Sequence, residues 1–126
     1  MDHLRVTPLG EALVLLEPGE ALDPSHPDTH LADLYARLQE LAVQRLICDL
    51  GALPMVDPVY YHWLDRLAAL CRIGGMELVV VNLRPAAAYA LAQQLDSDPP
   101  FTCERSVEDA RRRPLKRPER DGAAPK

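Results

Sequence analysis

Leu46–Asn82, LICDLGALPMVDPVYYHWLDRLAALCRIGGMELVVVN, is the stretch from which the architecture can be read. It opens on Leu46-Ile47-Cys48-Asp49-Leu50, a short apolar run of strand character. The period then changes. Tyr60, Trp63, Leu64, Leu67, Leu70 and Cys71 recur at three- and four-residue steps on one helix face, with Tyr61, His62, Asp65, Arg66 and Arg72 on the other. Asp57 is placed to cap this helix. Pro58 falls at the first helical position, where a missing N–H costs nothing. Gly74-Gly75 supplies a left-handed stop. Glu77-Leu78-Val79-Val80-Val81-Asn82 returns to strand, rich in β-branched residues.

Working outward, Leu4 to Glu17 reads as two short strands around Gly10 that add an antiparallel edge. Ala12 to Leu16 is a continuous apolar run, as in a strand covered on both faces. Pro18, Gly19, Pro24 and Pro27 break regular structure. From Leu31 an amphipathic helix follows: Leu31, Leu34, Tyr35, Leu38, Leu41 and Ala42 share an arc, Asp33, Arg37, Glu40 and Gln44 oppose it, and Thr29 or Asp28 is the expected cap. Beyond Asn82, Pro85 starts a helix running through Leu95, Asp96 to Pro100 forms a turn, and Phe101-Thr102-Cys103 forms an edge strand. Ser106 caps a last helical turn, with Asp109 three residues on. The order ββαβαβαβα predicts an α/β fold: a mixed, mostly parallel sheet of four to five strands, right-handed crossovers and about four helices. One domain over residues 1–110 and a basic, Pro-containing, disordered tail over 111–126 complete the expected organisation.

Apolar residues make up 48% of the 126 and aromatics only 5%, so the core must be aliphatic. The net charge is −5, but the stretch from Arg111 to Lys126 holds seven basic and two acidic residues. The remaining body is therefore strongly acidic, a poor surface for nucleic acid, where neutralisation of phosphates dominates affinity. No segment has the roughly 20 apolar residues that span a bilayer, and Met1-Asp2-His3-Leu4-Arg5 is not a signal peptide. Cys48, Cys71 and Cys103 lack metal-type spacing, are odd in number, and each falls in an apolar pattern. These features point to reduced cytoplasm.

The element order, read with three motifs, resembles the STAS family of anti-sigma-factor antagonists over about Arg5 to Ala110, and is most like the stressosome-type members. The motifs are the strand-loop-helix Cys48-Asp49-Leu50-Gly51-Ala52-Leu53-Pro54-Met55-Val56-Asp57, the helix end and central strand Gly74-Gly75-Met76-Glu77-Leu78-Val79-Val80-Val81, and the helix entry Asn82-Leu83-Arg84-Pro85-Ala86-Ala87-Ala88. The resemblance implies a non-catalytic protein-docking module in bacterial stress or sigma-factor regulation. Its partner would be an anti-sigma kinase or another STAS protein, and a homo-oligomer is allowed.

Many members of that family carry a phosphorylated Ser or Thr directly after the Asp that opens the second helix. Here that residue is Pro58, which has no hydroxyl, and the Gly often found two residues further on is Tyr60. The usual phosphorylation switch is therefore expected to be absent, leaving Asp57, Pro58, Val59, Tyr61 and His62 as a constitutive partner-binding surface. Tyr60 lies on the apolar arc and is expected in the core. A second reading is a domain that senses a nucleotide or lipid in a pocket between the Pro18–His30 loop and the Asp57 helix.

Sharper chemical readings are weaker. His26, Asp28 and His30 sit in a Pro-broken loop without preset ligand geometry, so no metal is expected. Cys48 beside Asp49 is a poor nucleophile, and Ser25 next to His26 is adjacency, not catalytic geometry. Asp49, Asp57 and Asp65 are explained by a strand end, a cap and a polar helix face. No Gly-rich phosphate cradle occurs. No cofactor and no enzymatic activity are expected.

Overall fold

The computed structural model describes residues 4–19, 22–94 and 99–115. β1 (Leu4–Gly10) and β2 (Leu13–Pro18) pair as a hairpin. Its two-residue turn is Glu11-Ala12, with φ of 56° and 66° after Gly10 at 84°. Two left-handed residues make the mirror-image turn whose twist matches the flanking strands. The turn lies just after Gly10, so Ala12 leaves the strand that the sequence assigned to it. The Ala12 carbonyl accepts from the backbone N–H groups of Gln44 (2.8 Å) and Arg45 (3.2 Å), which fixes the turn against β3 (Arg45–Asp49).

α1 (Asp28–Glu40) begins without a side-chain cap. Pro27 holds the cap position with helical φ and ψ of −60° and −34°, so Asp28 and Thr29 fall inside the first turn and neither caps it. The Asp28 charge still favours the positive end of the helix dipole. Ala42 does not join the buried arc either. The helix stops at Glu40, and Ala42 turns left-handed at φ 54° and is exposed while Val43 N–H closes onto the Leu38 carbonyl at 3.2 Å. α2 (Pro58–Ile73) has the cap and stop read from sequence: Gly75 takes φ 74°, and Met76 N–H donates to the Cys71 carbonyl at 2.7 Å. β4 (Glu77–Val81), α3 (Pro85–Gln94), β5 (Thr102–Glu104) and α4 (Val107–Arg112) follow, and Ser106 Oγ accepts from Asp109 N–H at 3.1 Å. The turn expected over 96–100 and the end of α3 at Leu95 fall mostly outside the described residues.

The sheet order is β1-β2-β3-β4-β5, with β1 antiparallel and the rest parallel. Successive right-handed crossovers that all step the same way put α1, α2 and α3 on one face. There Val14, Leu16, Leu34, Leu46, Cys48, Leu64, Leu67 and Val80 form the main core. The opposite face presents Ile47, Val79 and Val81, covered by Ala110 of α4 with Leu9, Leu15 and Val107 around them.

On that second face Arg45 is the one fully buried charged residue among those described. Its Nε donates to Glu77 Oε1 (2.9 Å) on the neighbouring strand. Nη1 donates to the carbonyls of Ala110 (2.8 Å) and Arg113 (2.7 Å), and Nη2 to that of Pro114 (2.8 Å). A helix leaves its last carbonyls without partners, and here one guanidinium supplies them. Arg113 in turn reaches Glu104 (2.7 Å) and Glu77 (3.6 Å). The chain is thus held through Pro114, past residue 110 where the domain was expected to end; residues 116–126 of the expected tail lie outside the described residues.

Arg45→Ala should destabilise the fold by about 3–5 kcal/mol, as expected when one partner of a buried ion pair is removed. Arg45→Lys should recover only part of that, because an ammonium cannot span four acceptors in one plane. Denaturant midpoints read both values, and a loss below about 1 kcal/mol for the alanine variant would refute the clamp.

Candidate functional site

The parallel strands β3 and β4 end side by side, and the loop from Leu50 to Val56 leads from there into α2. Its path is held at several points. Leu50 N–H donates to the Val81 carbonyl (3.1 Å), Gly51 N–H to Asp49 Oδ1 (2.8 Å), and Leu53 N–H to the Leu50 carbonyl (3.0 Å). Arg84 Nε donates to the Gly51 carbonyl (2.8 Å), and Gln94 Nε2 to that of Val56 (2.9 Å). Leu53 and Val56 turn inward, while Pro54 and Met55 face outward, Met55 being 54% exposed. Asn82, at the end of β4, adopts φ 59°, a left-handed geometry that asparagine tolerates better than most residues.

Asp57 then stands in extended geometry, and its Oδ1 accepts from Tyr60 N–H at 2.8 Å. Pro58, Val59 and His62 are exposed, Val59 to 46%. Tyr61 is half-buried and packs against the core edge, so it offers less free surface than its helical position suggested. Tyr60 is in the core, as its place on the arc required, and its buried hydroxyl has no partner among the described residues. Burial, then the neighbouring Cys48, pushes its pKa well above the usual phenol range. Of the five residues assigned to a partner surface, four stand exposed together at the start of α2. Met55 joins them from a loop whose outward side sequence periodicity could not identify. Arg84 and Gln94, both on the α3 side, pin that loop through backbone carbonyls, which no side-chain pattern reveals.

The first turn of α1 meets α2 one to two turns further along. Trp63 Nε1 donates to His30 Nε2 at 2.7 Å, and Arg66 pairs with Asp28 at 2.7 Å. His26, by contrast, faces Ser25 Oγ at 3.1 Å. The three residues spaced like metal ligands therefore turn to three different partners. Ser25 does meet His26, but its hydroxyl also lies 2.5 Å from Asp23 Oδ1, a carboxylate lowered below its usual range by these Ser25 hydrogen bonds. The carboxylate thus hydrogen-bonds the serine and stands 3.9 Å from His26 Nδ1, beyond hydrogen-bond reach of the histidine, and the cluster is exposed.

Thiol chemistry is suppressed in the interior. Burial, then Cys71 and Asp49, raises the Cys48 thiol far above its ordinary pKa, so burial outweighs the Asp49 effect expected from sequence. Burial pushes Cys71 up to about 12. Cys103 departs from the expected apolar burial: it is exposed on β5, with its pKa raised by partial desolvation and then by Glu104. It borders a groove of about 600 Å³ with Leu83, Ala88, Leu91 and Arg105. That groove lies between α3 and β5, whereas the ligand-sensing reading looked for a pocket beside the Pro18–His30 loop. No helix among the described residues is long and apolar enough to cross a membrane.

No protein-family model and no curated protein matches this sequence. Solved structures do match. A serine-to-glutamate variant of Moorella thermoacetica RsbS is similar at TM-score 0.73 and 19% identity, over 83% of this chain and 90% of that one. A chain from the molecular architecture of the stressosome, described as a signal integration and transduction hub, gives 0.71 and 17% over 82% and 90%. TM1081 of Thermotoga maritima, a candidate anti-sigma factor antagonist, gives 0.66 and 11% over 86% and 91% in its crystal structure. The likeness shows that this chain shares the fold of these structures.

Under native conditions a thiol reagent should label Cys103 alone, more slowly than a free cysteine at neutral pH because its pKa is raised. Cys48 and Cys71 should react only on unfolding. Mass spectrometry of the labelled chain reads this directly, and rapid native labelling of all three would contradict the buried assignment.

Proposed function

We propose that this chain is a non-catalytic, cytoplasmic docking module of bacterial stress or sigma-factor signalling. Its partner would be an anti-sigma kinase or another STAS protein, gripped at the start of α2 without a phosphorylation switch there. One observation carries the reading. The exposed group Met55, Asp57, Pro58, Val59 and His62 is built on a loop and helix start held by side-chain hydrogen bonds to the backbone from Asp49, Asp57, Arg84 and Gln94.

A surface fixed before binding loses little freedom on association, and exposed apolar side chains beside a charge make an effective contact. The same surface cannot be switched at its family position, because Pro58 offers no oxygen for a phosphate. The fold shared with RsbS, and with a chain of the stressosome, supports the class of partner. The suppressed interior thiols and the misdirected Ser25–His26 pair support the absence of catalysis.

Two outcomes are expected. Val59→Asp should weaken capture of an identified anti-sigma kinase or STAS partner at least about tenfold, the equivalent of roughly 1.4 kcal/mol. Its thermal midpoint should stay within about 2 °C, since the side chain is half exposed. Incubation with a kinase active on a STAS partner should leave residues 57–62 free of phosphate by mass spectrometry, and Pro58→Ser should create an acceptor. Undiminished capture by Val59→Asp, or stoichiometric phosphate on the unmodified sequence at this helix start, would overturn the reading.

A further inference from the structure

Trp63 is the only tryptophan of the chain and is fully buried, and indole Nε1–H can only donate a hydrogen bond. Its partner is His30 Nε2 at 2.7 Å, with the two rings tilted at 40° and their centroids 5.8 Å apart. The bond therefore requires His30 to be neutral and to carry its proton on Nδ1. A protonated imidazole has no lone pair to offer, so protonation leaves a buried donor without its acceptor. His30 is only half-buried and can exchange its proton with solvent, whereas Trp63 cannot turn to water.

The contact also joins two elements. His30 lies in the first turn of α1, and Trp63 lies in the second turn of α2. Among the described residues, Asp23 of the preceding loop acts on His30 through its charge, Asp28 and Asp33 share α1 with it, and Arg66 of α2 pairs with Asp28. Asp28 is neutralised by Arg66 at 2.7 Å, and Asp23 engages Ser25 at 2.5 Å. The remaining histidine near α2, His62, is exposed, as is His26.

We propose that the His30–Trp63 hydrogen bond is a proton-sensitive latch that holds the first turn of α1 against α2 at neutral pH and releases it on mild acidification. The sign follows from the acceptor role. Burial, the largest influence, lowers the pKa of His30 in the folded chain, with Asp23 opposing it. The unfolded chain therefore binds the proton first as pH falls. The latch contributes fully above the ordinary histidine value of about 6.5 and is lost as pH drops through the lower folded value. The latch is independent of the docking reading, since it concerns the second turn of α2 and uses none of the residues assigned to partner contact.

The single indole gives a direct test on the intact chain. In the wild type, Trp63 emission should titrate in one step with a midpoint below 6.5, because the imidazolium quenches and the indole loses its bond. The lone indole N–H cross-peak in a proton–nitrogen NMR spectrum should move with the same midpoint, a reading that needs no variant. His30→Gln supplies a non-titrating acceptor, so the fluorescence step should vanish while emission at pH 8 stays close to wild type. His26→Gln and His62→Gln should keep the step. A step that survives His30→Gln, a step lost in His62→Gln instead, or an indole N–H shift that does not change between pH 8 and 5 would each overturn the proposal.

Discussion

A sheet whose parallel strands are all joined by crossovers of one hand and one direction has its helices on a single face, and the guanidinium of Arg45 keeps a cover on the other. Without that cover Ile47, Val79 and Val81 would face water from the middle of the sheet. The covering helix, α4, has six residues, far too few to be stable alone. Ser106 satisfies its first turn and Arg45 its last, so both ends are capped by side chains, and the strand that supplies the second cap also supplies the apolar floor. Glu77 keeps the cation paired, and Arg113 ties Glu77 of β4 to Glu104 of the neighbouring β5. The buried charge is tolerable because each of its donors has an acceptor.

Two further constraints place the candidate site on this frame. The Ala12 carbonyl anchors the hairpin turn to the first residues of β3, which sets the register in which Leu13 lies beside Arg45 and Glu77. That register carries Asp49 and Val81 together to the carboxyl ends of their strands, where the Leu50–Val56 loop departs. In open α/β sheets this is the end at which ligands and partners are met. The loop's contacts with Arg84 and Gln94 then make the start of α2 as fixed as the strands behind it.

Much of this was legible because local signals agreed with one another. Asp57-Pro58 followed by an apolar arc and closed by Gly74-Gly75 can only describe one helix, and its flanking aliphatic runs can only be buried strands. The helical period alone placed Tyr60 in the core, whereas Tyr61, assigned to the outer side, is half-buried against the core edge. What could not be read were conformations that contradict residue preference. Glu11, Ala12 and Ala42 take left-handed geometry with no glycine or asparagine to announce it, because the hydrogen bonds of Gln44, Arg45 and Val43 impose it from outside. Pro27 begins α1 without a capping side chain, so the cap rule pointed to the wrong residues. Nothing in the sequence marked Arg45 for burial, since its acceptors include backbone carbonyls 65 to 69 positions away. Long-range bonds leave no trace in a residue pattern, which is also why the carbonyl contacts of Arg84 and Gln94 and the side-chain pair His30–Trp63 went unseen.

The chemistry of the α2 start bears on the proposed docking role in a further way. A helix N-terminus ordinarily offers several free N–H groups and so invites an anion. Here Pro58 contributes none, Tyr60 N–H is taken by the Asp57 carboxylate, and Tyr61 N–H already closes the first helical turn onto the Asp57 carbonyl at 2.8 Å. Only Val59 retains a free donor in that turn. With the Asp57 charge seated over it, the helix end is satisfied internally. It is therefore unsuited both to carrying a phosphate and to receiving one from a partner. An interaction made at this place must rest on shape, on the apolar reach of Met55 and Val59, and on the fixed carboxylate of Asp57. All three are present before any partner arrives and unchanged by any kinase acting at this cap.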